Sequence, residues 1–228
     1  MTLDDLQKTI GITFNDHELF QRAFIHRSHL NEDKSLHISN ERLEFLGDSV
    51  LSFLTSHFLY EQYPDFPEGT LTNIRSSLVK TQSLALAAQT LNLGDVLLLS
   101  HGEEASGGRQ NPSLLADCFE ALLGAIFLDQ GIEKVRIFLS TYLFPQTKDI
   151  VAKKSYVDYK SLLQEIVQQE SRISPTYQVV KSEGPDHAKT FWIQATVNGK
   201  VLGHGSGRSK QEAEQMAAQN ALEKMGKT

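Results

Sequence analysis

The sequence predicts an all-α domain followed by a smaller α+β domain of order α-β-β-β-α. Three observations carry this. From Leu3 to about Leu143 the apolar residues recur at three- and four-residue spacing, the period of helices with one buried face. Later the period becomes an alternation, with Phe191, Ile193, Ala195 and Val197 on one face of a single segment. Asn198-Gly199, between that segment and the next apolar run, is a strong hairpin signal. The boundaries read as 1–149 for the first domain, 150–156 for a linker and 157–228 for the second.

At 228 residues and 40% hydrophobic content, the chain can fill two modest cores. Its longest apolar run, Ala121 to Leu128 with Gly124 inside it, falls far short of the roughly 18 residues of a membrane span. No membrane association is expected. The acidic start, Met1-Thr2-Leu3-Asp4-Asp5, is unlike a basic and then apolar secretory signal. Cys118 is the single cysteine, which excludes an internal disulfide and fits a reducing cytoplasm. The net charge of −6 sits in the first domain, because residues 156–228 carry nine Lys and Arg against eight Asp and Glu. Overall charge therefore neither favours nor excludes a nucleic-acid partner.

In the first domain the helices break at two turn-like stretches, Tyr63 to Gly69 and His101 to Pro112. Asn40-Glu41-Arg42-Leu43-Glu44-Phe45-Leu46-Gly47-Asp48-Ser49-Val50-Leu51 opens a helix that continues towards Tyr60. At roughly 100° per residue Glu41, Glu44 and Asp48 fall within an arc of about 60°, and Phe45 flanks them on the side away from Glu44. A second, more apolar helix, Leu114 to Leu128, places Asp117 and Glu120 three residues apart on one face and carries no other charge. Acids on a helix usually mark a solvated face. On a helix this apolar they are costly unless a cation neutralises them. Oxygen ligands without matching His or Cys suit Mg²⁺ or Mn²⁺, so a metal site is favoured over a structural ion-pair network. Spacing leaves open whether one metal acts or two, and whether Phe45 fills the local core. His26-Arg27-Ser28-His29 looks metal-like but reads as a capping or packing segment. Ser106-Gly107-Gly108-Arg109 reads as a mobile loop, with Arg109 either reaching a phosphate or solvated, and Cys118 reads as core.

In the second domain a helix from Asp158 to about Gln169 precedes strands at Tyr177–Lys181, Phe191–Val197 and Lys200–Gly205. Gly203-His204-Gly205-Ser206-Gly207 reads as a glycine-rich turn into a last helix, Lys210 to about Met225. Ser209 with Glu212 three residues on has the form of a capping box. Free N–H groups at that helix start attract phosphate, and Arg208 and Lys210 add charge.

The stretch Asn40 to Leu51 closely resembles the signature of the ribonuclease III family, and Leu115-Ala116-Asp117-Cys118-Phe119-Glu120-Ala121-Leu122 resembles its second acidic motif. The second domain resembles a double-stranded-RNA-binding domain, so the resemblance covers nearly the whole chain. It implies a homodimeric, Mg²⁺-dependent endoribonuclease of double-stranded RNA, with Mn²⁺ able to substitute. Glu44, Asp48, Asp117 and Glu120 would form the catalytic and metal-binding cluster, Glu44 and Glu120 being the leading direct ligands. Glu41 and Glu68 match auxiliary acids of the same valley, and Phe45 matches a ring that enters a pocket of the second subunit. Each of two clusters would cut one strand, leaving 5′-phosphate and 3′-hydroxyl ends with two-nucleotide 3′ overhangs. Bacterial relatives process ribosomal and other RNA. In the second domain Gln164, Gln168 and His187 match minor-groove contacts, and Lys189 and Lys210 match phosphate contacts. Gln211 departs from the family, which usually has a second basic residue there.

Two other readings compete. A non-catalytic binding protein of this fold would lack the matched acids, and all are present. A helical phosphohydrolase of small nucleotides built on a His-Asp pair would need a His-Asp dipeptide, and the chain contains none.

Overall fold

The computed structural model describes residues 1–33, 35–185 and 188–227, with Glu170 described by its backbone alone. They divide into two compact units, Met1–Tyr156 and Val157–Thr228. The first contains α1 (Leu3–Ile10), α2 (His17–Arg22), α3 (Glu41–Gln62), α4 (Glu68–Leu78), α5 (Thr81–Thr90), α6 (Leu93–Val96), α7 (His101–Ala105), α8 (Pro112–Gln130), α9 (Ile132–Tyr142) and α10 (Gln146–Ala152). Short 3₁₀ turns lie at Arg27–Asn31 and Gly108–Gln110. The second contains α11 (Tyr159–Ser171), β1 (Thr176–Glu183), β2 (Thr190–Val197), β3 (Lys200–Gly207) and α12 (Lys210–Lys224).

The central element is α8. Asn111 caps it by accepting from the Ser113 N–H at 2.9 Å, Pro112 takes a first-turn position that needs no donor, and Gly131 ends it at φ 80°. Leu115, Cys118, Phe119, Leu122, Leu123 and Ile126 are buried along it, which places Cys118 in the core as expected. Beside it runs α3, brought unusually close by two glycines. A Cβ on Gly47 would stand 1.8 Å from the Glu120 carbonyl oxygen, and one on Gly124 would stand 2.2 Å from the Leu43 carbonyl oxygen. Only residues without side chains let the two backbones meet there.

Three local readings change. The stretch Tyr63 to Gly69 is shorter as a turn than expected, because α4 begins at Glu68. Between His101 and Pro112 lies not a loose loop but α7 and a 3₁₀ turn, pinned by Arg109. Its guanidinium donates to the carbonyls of Gly94 at 2.8 Å and Leu97 at 2.9 Å and to the Glu104 carboxylate at 2.6 Å. Arg109 is thus a structural clamp; of the glycines beside it Gly108 is tightly packed, a Cβ there standing 2.7 Å from the Glu103 carbonyl oxygen, while Gly107 takes a positive φ of 85°. Finally, the stretch from residue 150 read as a linker is helical through Ala152.

In the second unit the sheet order is β1-β2-β3, both pairs antiparallel, with Val179 opposite Ile193 and Ile193 opposite Gly205. Asn198 and Gly199 both take positive φ, 50° and 75°, as a two-residue hairpin of the primed type requires. The glycines of 203–207 do not form a turn. They belong to β3 and face α12: a Cβ on Gly205 would lie 2.2 Å from the Ala217 nitrogen, and one on Gly203 would lie 2.4 Å from the Ala217 oxygen. Ala213, Ala217 and Ala221 of α12 seat on that stripe, with Leu163, Val167, Ile193 and Leu222 completing the core. Among the described residues no helix is long and apolar enough to cross a membrane.

Candidate active site and nucleic-acid interface

The close crossing of α3 and α8 assembles the acids. Glu44 from α3 and Asp117 and Glu120 from α8 each offer a carboxylate oxygen, and these atoms lie within 4.8 Å of one another. All three side chains are partly buried. Burial first, then the neighbouring Asp48, Asp117 and Glu44 charges, pushes the Glu120 carboxyl up to about 8. Burial, followed by Asp117, Glu41 and Asp48, raises Glu44, with Arg27 opposing. Burial likewise raises Asp117, opposed by His26 and Arg27. So many like charges in a half-buried pocket cannot all ionise without a counter-charge. A hard divalent cation fits this donor set, which is all oxygen and mutually within one coordination sphere.

The remaining acids of the sequence reading stand around this group. Asp48 is exposed and acts on Glu120 and Glu44 through its charge, outside the group of three. Glu41 is exposed at the start of α3, where the Ser39 hydroxyl donates to it at 2.8 Å and Arg27 pairs with it at 3.6 Å. Glu68, at the first position of α4, accepts from the Thr72 hydroxyl at 3.0 Å and is not a member of the group.

Phe45 is 77% exposed, so it does not fill the core of its own chain. Phe53 and Tyr60, exposed at 57% and 74%, follow it along one side of α3, within about 80° at the helical period. The sequence reading missed this stripe, although its spacing was visible. It read Arg27 only as part of the capping or packing segment His26 to His29, whereas its side chain pairs with Glu41 beside the cluster. A signal for the crossing existed in Gly47 and Gly124, since glycine inside an otherwise regular helix costs up to about 1 kcal/mol and marks a close approach. The reading of His26 to His29 as capping holds: the His26 ring accepts from the Ser28 N–H at 3.3 Å, and His29 Nδ1 lies 3.1 Å from the Leu99 carbonyl oxygen.

In the second unit Gln164 and Gln168 are exposed on α11, and the Gln168 amide donates to the Ser174 hydroxyl at 2.9 Å. Lys189 precedes β2, and Arg208 and Lys210 are exposed at the start of α12. Ser209 accepts from the Glu212 N–H at 3.1 Å, while the Glu212 carboxylate reaches back to the Arg208 N–H at 2.7 Å. The cap therefore closes one residue further back than a capping box would. Gln211 lines a cleft together with Gln164, Lys160 and Tyr177. His187 lies outside the described residues.

A helical domain with a carboxylate cluster suited to a divalent cation, joined to an α-β-β-β-α fold with an exposed basic helix start, defines a nuclease of structured RNA. Residues 16–147 match the family model described as Ribonuclease-III-like, and residues 159–225 match the double-stranded RNA binding motif. The chain is 44% identical to Ribonuclease 3 of Treponema denticola, covering 97% of this chain and 90% of that protein. It is 49% identical to Ribonuclease 3 of Anoxybacillus flavithermus, covering 96% and 92%. Among solved structures, the nuclease domain of ribonuclease III from Campylobacter jejuni superposes with a TM-score of 0.58 at 38% identity, over 62% of this chain and 95% of that one. The chain belongs to the ribonuclease III family and is an endoribonuclease specific for double-stranded RNA.

Proposed function

We propose that Glu44, Asp117 and Glu120 hold Mg²⁺, with Asp48 completing the catalytic set, and that the chain cuts both strands of duplex RNA as a homodimer. The meeting of the three carboxylate oxygens within 4.8 Å carries this reading. When bound, the ion supplies charge neutralisation at the phosphate and lowers the pKa of a coordinated water, so no Ser, Cys or His nucleophile is needed. The chain's own residues set the geometry. Gly47 and Gly124 fix the separation of the two helices, and Ser39 orients Glu41 at the rim with Glu68 as a further auxiliary acid. The exposed Phe45 ring, at the head of the α3 stripe, enters a pocket of the second copy, bringing two acidic clusters to one duplex. A structure of the Campylobacter jejuni nuclease domain is described as having a region involved in dimer formation, in keeping with this arrangement.

The second unit grips A-form RNA by shape across two minor grooves and the phosphates between them. Gln164, Gln168 and His187 supply minor-groove contacts, and Lys189, Arg208 and Lys210 supply charge. The products carry 5′-phosphates, 3′-hydroxyls and two-nucleotide 3′ overhangs. The setting is the cytoplasm, in processing of ribosomal and messenger RNA. Digestion of long duplex RNA in Mg²⁺ and in EDTA, with the ends mapped, tests the reading. Cleavage is expected only in Mg²⁺ and with those ends; undiminished cutting in EDTA would overturn it.

A further inference from the structure

Residues 25–28 bring a basic side chain to the rim of the carboxylate cluster on a firmly held backbone. The Asn40 N–H donates to the Ile25 carbonyl at 2.8 Å, the His26 N–H donates to the Leu98 carbonyl at 3.1 Å, and the Ser28 hydroxyl accepts from the Ser100 N–H at 3.0 Å. A parallel bridge joins Ile25 to Leu98. The backbone of Arg27 is thereby tied both to the start of α3 and to the chain after α6.

The Arg27 side chain is 73% exposed, and its carboxylate partner is Glu41, with Nη1 to Oε1 at 3.6 Å. An exposed pair with one contact of that length contributes about 0–1 kcal/mol, too little to explain the residue by stability. A guanidinium carries five donors in a planar fork, well matched to a phosphate, and this pairing engages only one edge of it. Its position also matters. Glu41 lies in the first turn of α3, three residues before Glu44, so the guanidinium that pairs with it lies beside the α3 end of the cluster, and its charge acts on both Glu44 and Asp117. The acids that would hold a cation also repel the backbone of an approaching duplex. A cation beside them gives that backbone a place to dock.

We propose that Arg27 is a substrate-contacting residue of the nuclease site, its guanidinium receiving an RNA backbone phosphate beside the carboxylate cluster. This rests on the reading of that cluster as the nuclease site. The experiment uses the full chain and duplex RNA, with cleavage kinetics for Arg27→Ala, Arg27→Lys, Glu41→Gln and the Arg27→Ala/Glu41→Gln double variant. Binding is measured over a range of salt for Glu120→Gln with and without Arg27→Ala.

Arg27→Ala should lower kcat/KM by about tenfold, or about 1.4 kcal/mol, mainly through KM, with the melting temperature unchanged. On the Glu120→Gln background it should make the slope of log affinity against log salt shallower by roughly one unit. Arg27→Lys should keep the slope but recover only part of kcat/KM, because lysine offers a point charge without the fork. An unchanged salt slope would overturn the proposal. So would a Glu41→Gln defect as large as that of Arg27→Ala with no further loss in the double variant, since Arg27 would then act only through Glu41. Near wild-type cleavage by Glu120→Gln alone would instead overturn the nuclease-site reading itself, and the proposal with it.

Discussion

Gly47 of α3 faces the backbone of Glu120 on α8 so closely that a Cβ would stand 1.8 Å from the Glu120 carbonyl oxygen. The residue that anchors the acidic cluster on one helix is thus in backbone contact with the residue between the acids of the other. Gly47→Ala must push the helices apart or distort one of them. Destabilisation of at least about 1–3 kcal/mol is expected, by analogy with overpacked cores, together with a large loss of cleavage. Gly102→Ala, where the added carbon meets nothing within 4 Å, should be neutral or slightly stabilising. Denaturant melts of the two variants, with cleavage assays alongside, check this contrast.

Glu120→Gln should abolish cleavage and leave duplex binding nearly intact, because it removes a cluster charge and leaves every residue of the RNA-binding unit unchanged. A second consequence concerns pH. The Glu120 carboxyl is raised from its ordinary 4.5 to about 8, so between these values the folded chain binds more protons than the unfolded chain. Stability without metal should therefore be highest below the lower value, fall as pH rises through the window, and level off above about 8. Millimolar Mg²⁺ should reverse the loss at the alkaline end. Unfolding in EDTA at a series of pH values should show the decline in the wild type and a flatter profile in Glu120→Gln.

Phe45→Asp should weaken the dimer, since an unpaired carboxylate would have to enter an apolar pocket at a cost of several kcal/mol. The ring is 77% exposed in the single chain, so the fold of the protomer should survive. Sedimentation at micromolar concentration should show monomer where the wild type is dimeric, with a parallel loss of double-strand cutting. A dimeric and active variant would show that the ring makes no such contact.

Gln211 offers no charge to the phosphates beside Lys210. Each phosphate neutralised by Lys or Arg contributes roughly one unit, or somewhat less, to the slope of log affinity against log salt. Gln211→Lys should tighten duplex binding at low salt and steepen that slope, while Lys210→Ala should weaken binding and make it shallower. Neither should alter the rate at saturating RNA. Isotherms at several salt concentrations would reveal unchanged slopes in both variants if the start of α12 does not face the RNA.

Much of this molecule was legible along the chain. The period of apolar residues marked the helical unit, the alternation around Ile193 and the Asn198-Gly199 pair marked the hairpin, and the spacing of Glu44 with Asp48 and of Asp117 with Glu120 put each pair of acids on one helix face. These are relations between residues a few positions apart, which backbone geometry alone dictates. Three other features depend on which surfaces meet. The glycines of β3 resembled a phosphate-binding turn until the Ala213, Ala217 and Ala221 face of α12 packed on them. Arg109 resembled a free loop cation until the carbonyls of Gly94 and Leu97 closed around it. The union of Glu44 with Asp117 and Glu120 was implied by the family resemblance but by no spacing along the chain; the crossing of α3 and α8 makes it, and the fastening of Ile25 to Asn40 and Leu98 sets Arg27 beside Glu41. Sequence by itself determined which side chains share a face; the distance between faces more than seventy residues apart was decided by packing, where two glycines remove the side-chain layer that normally keeps helices apart.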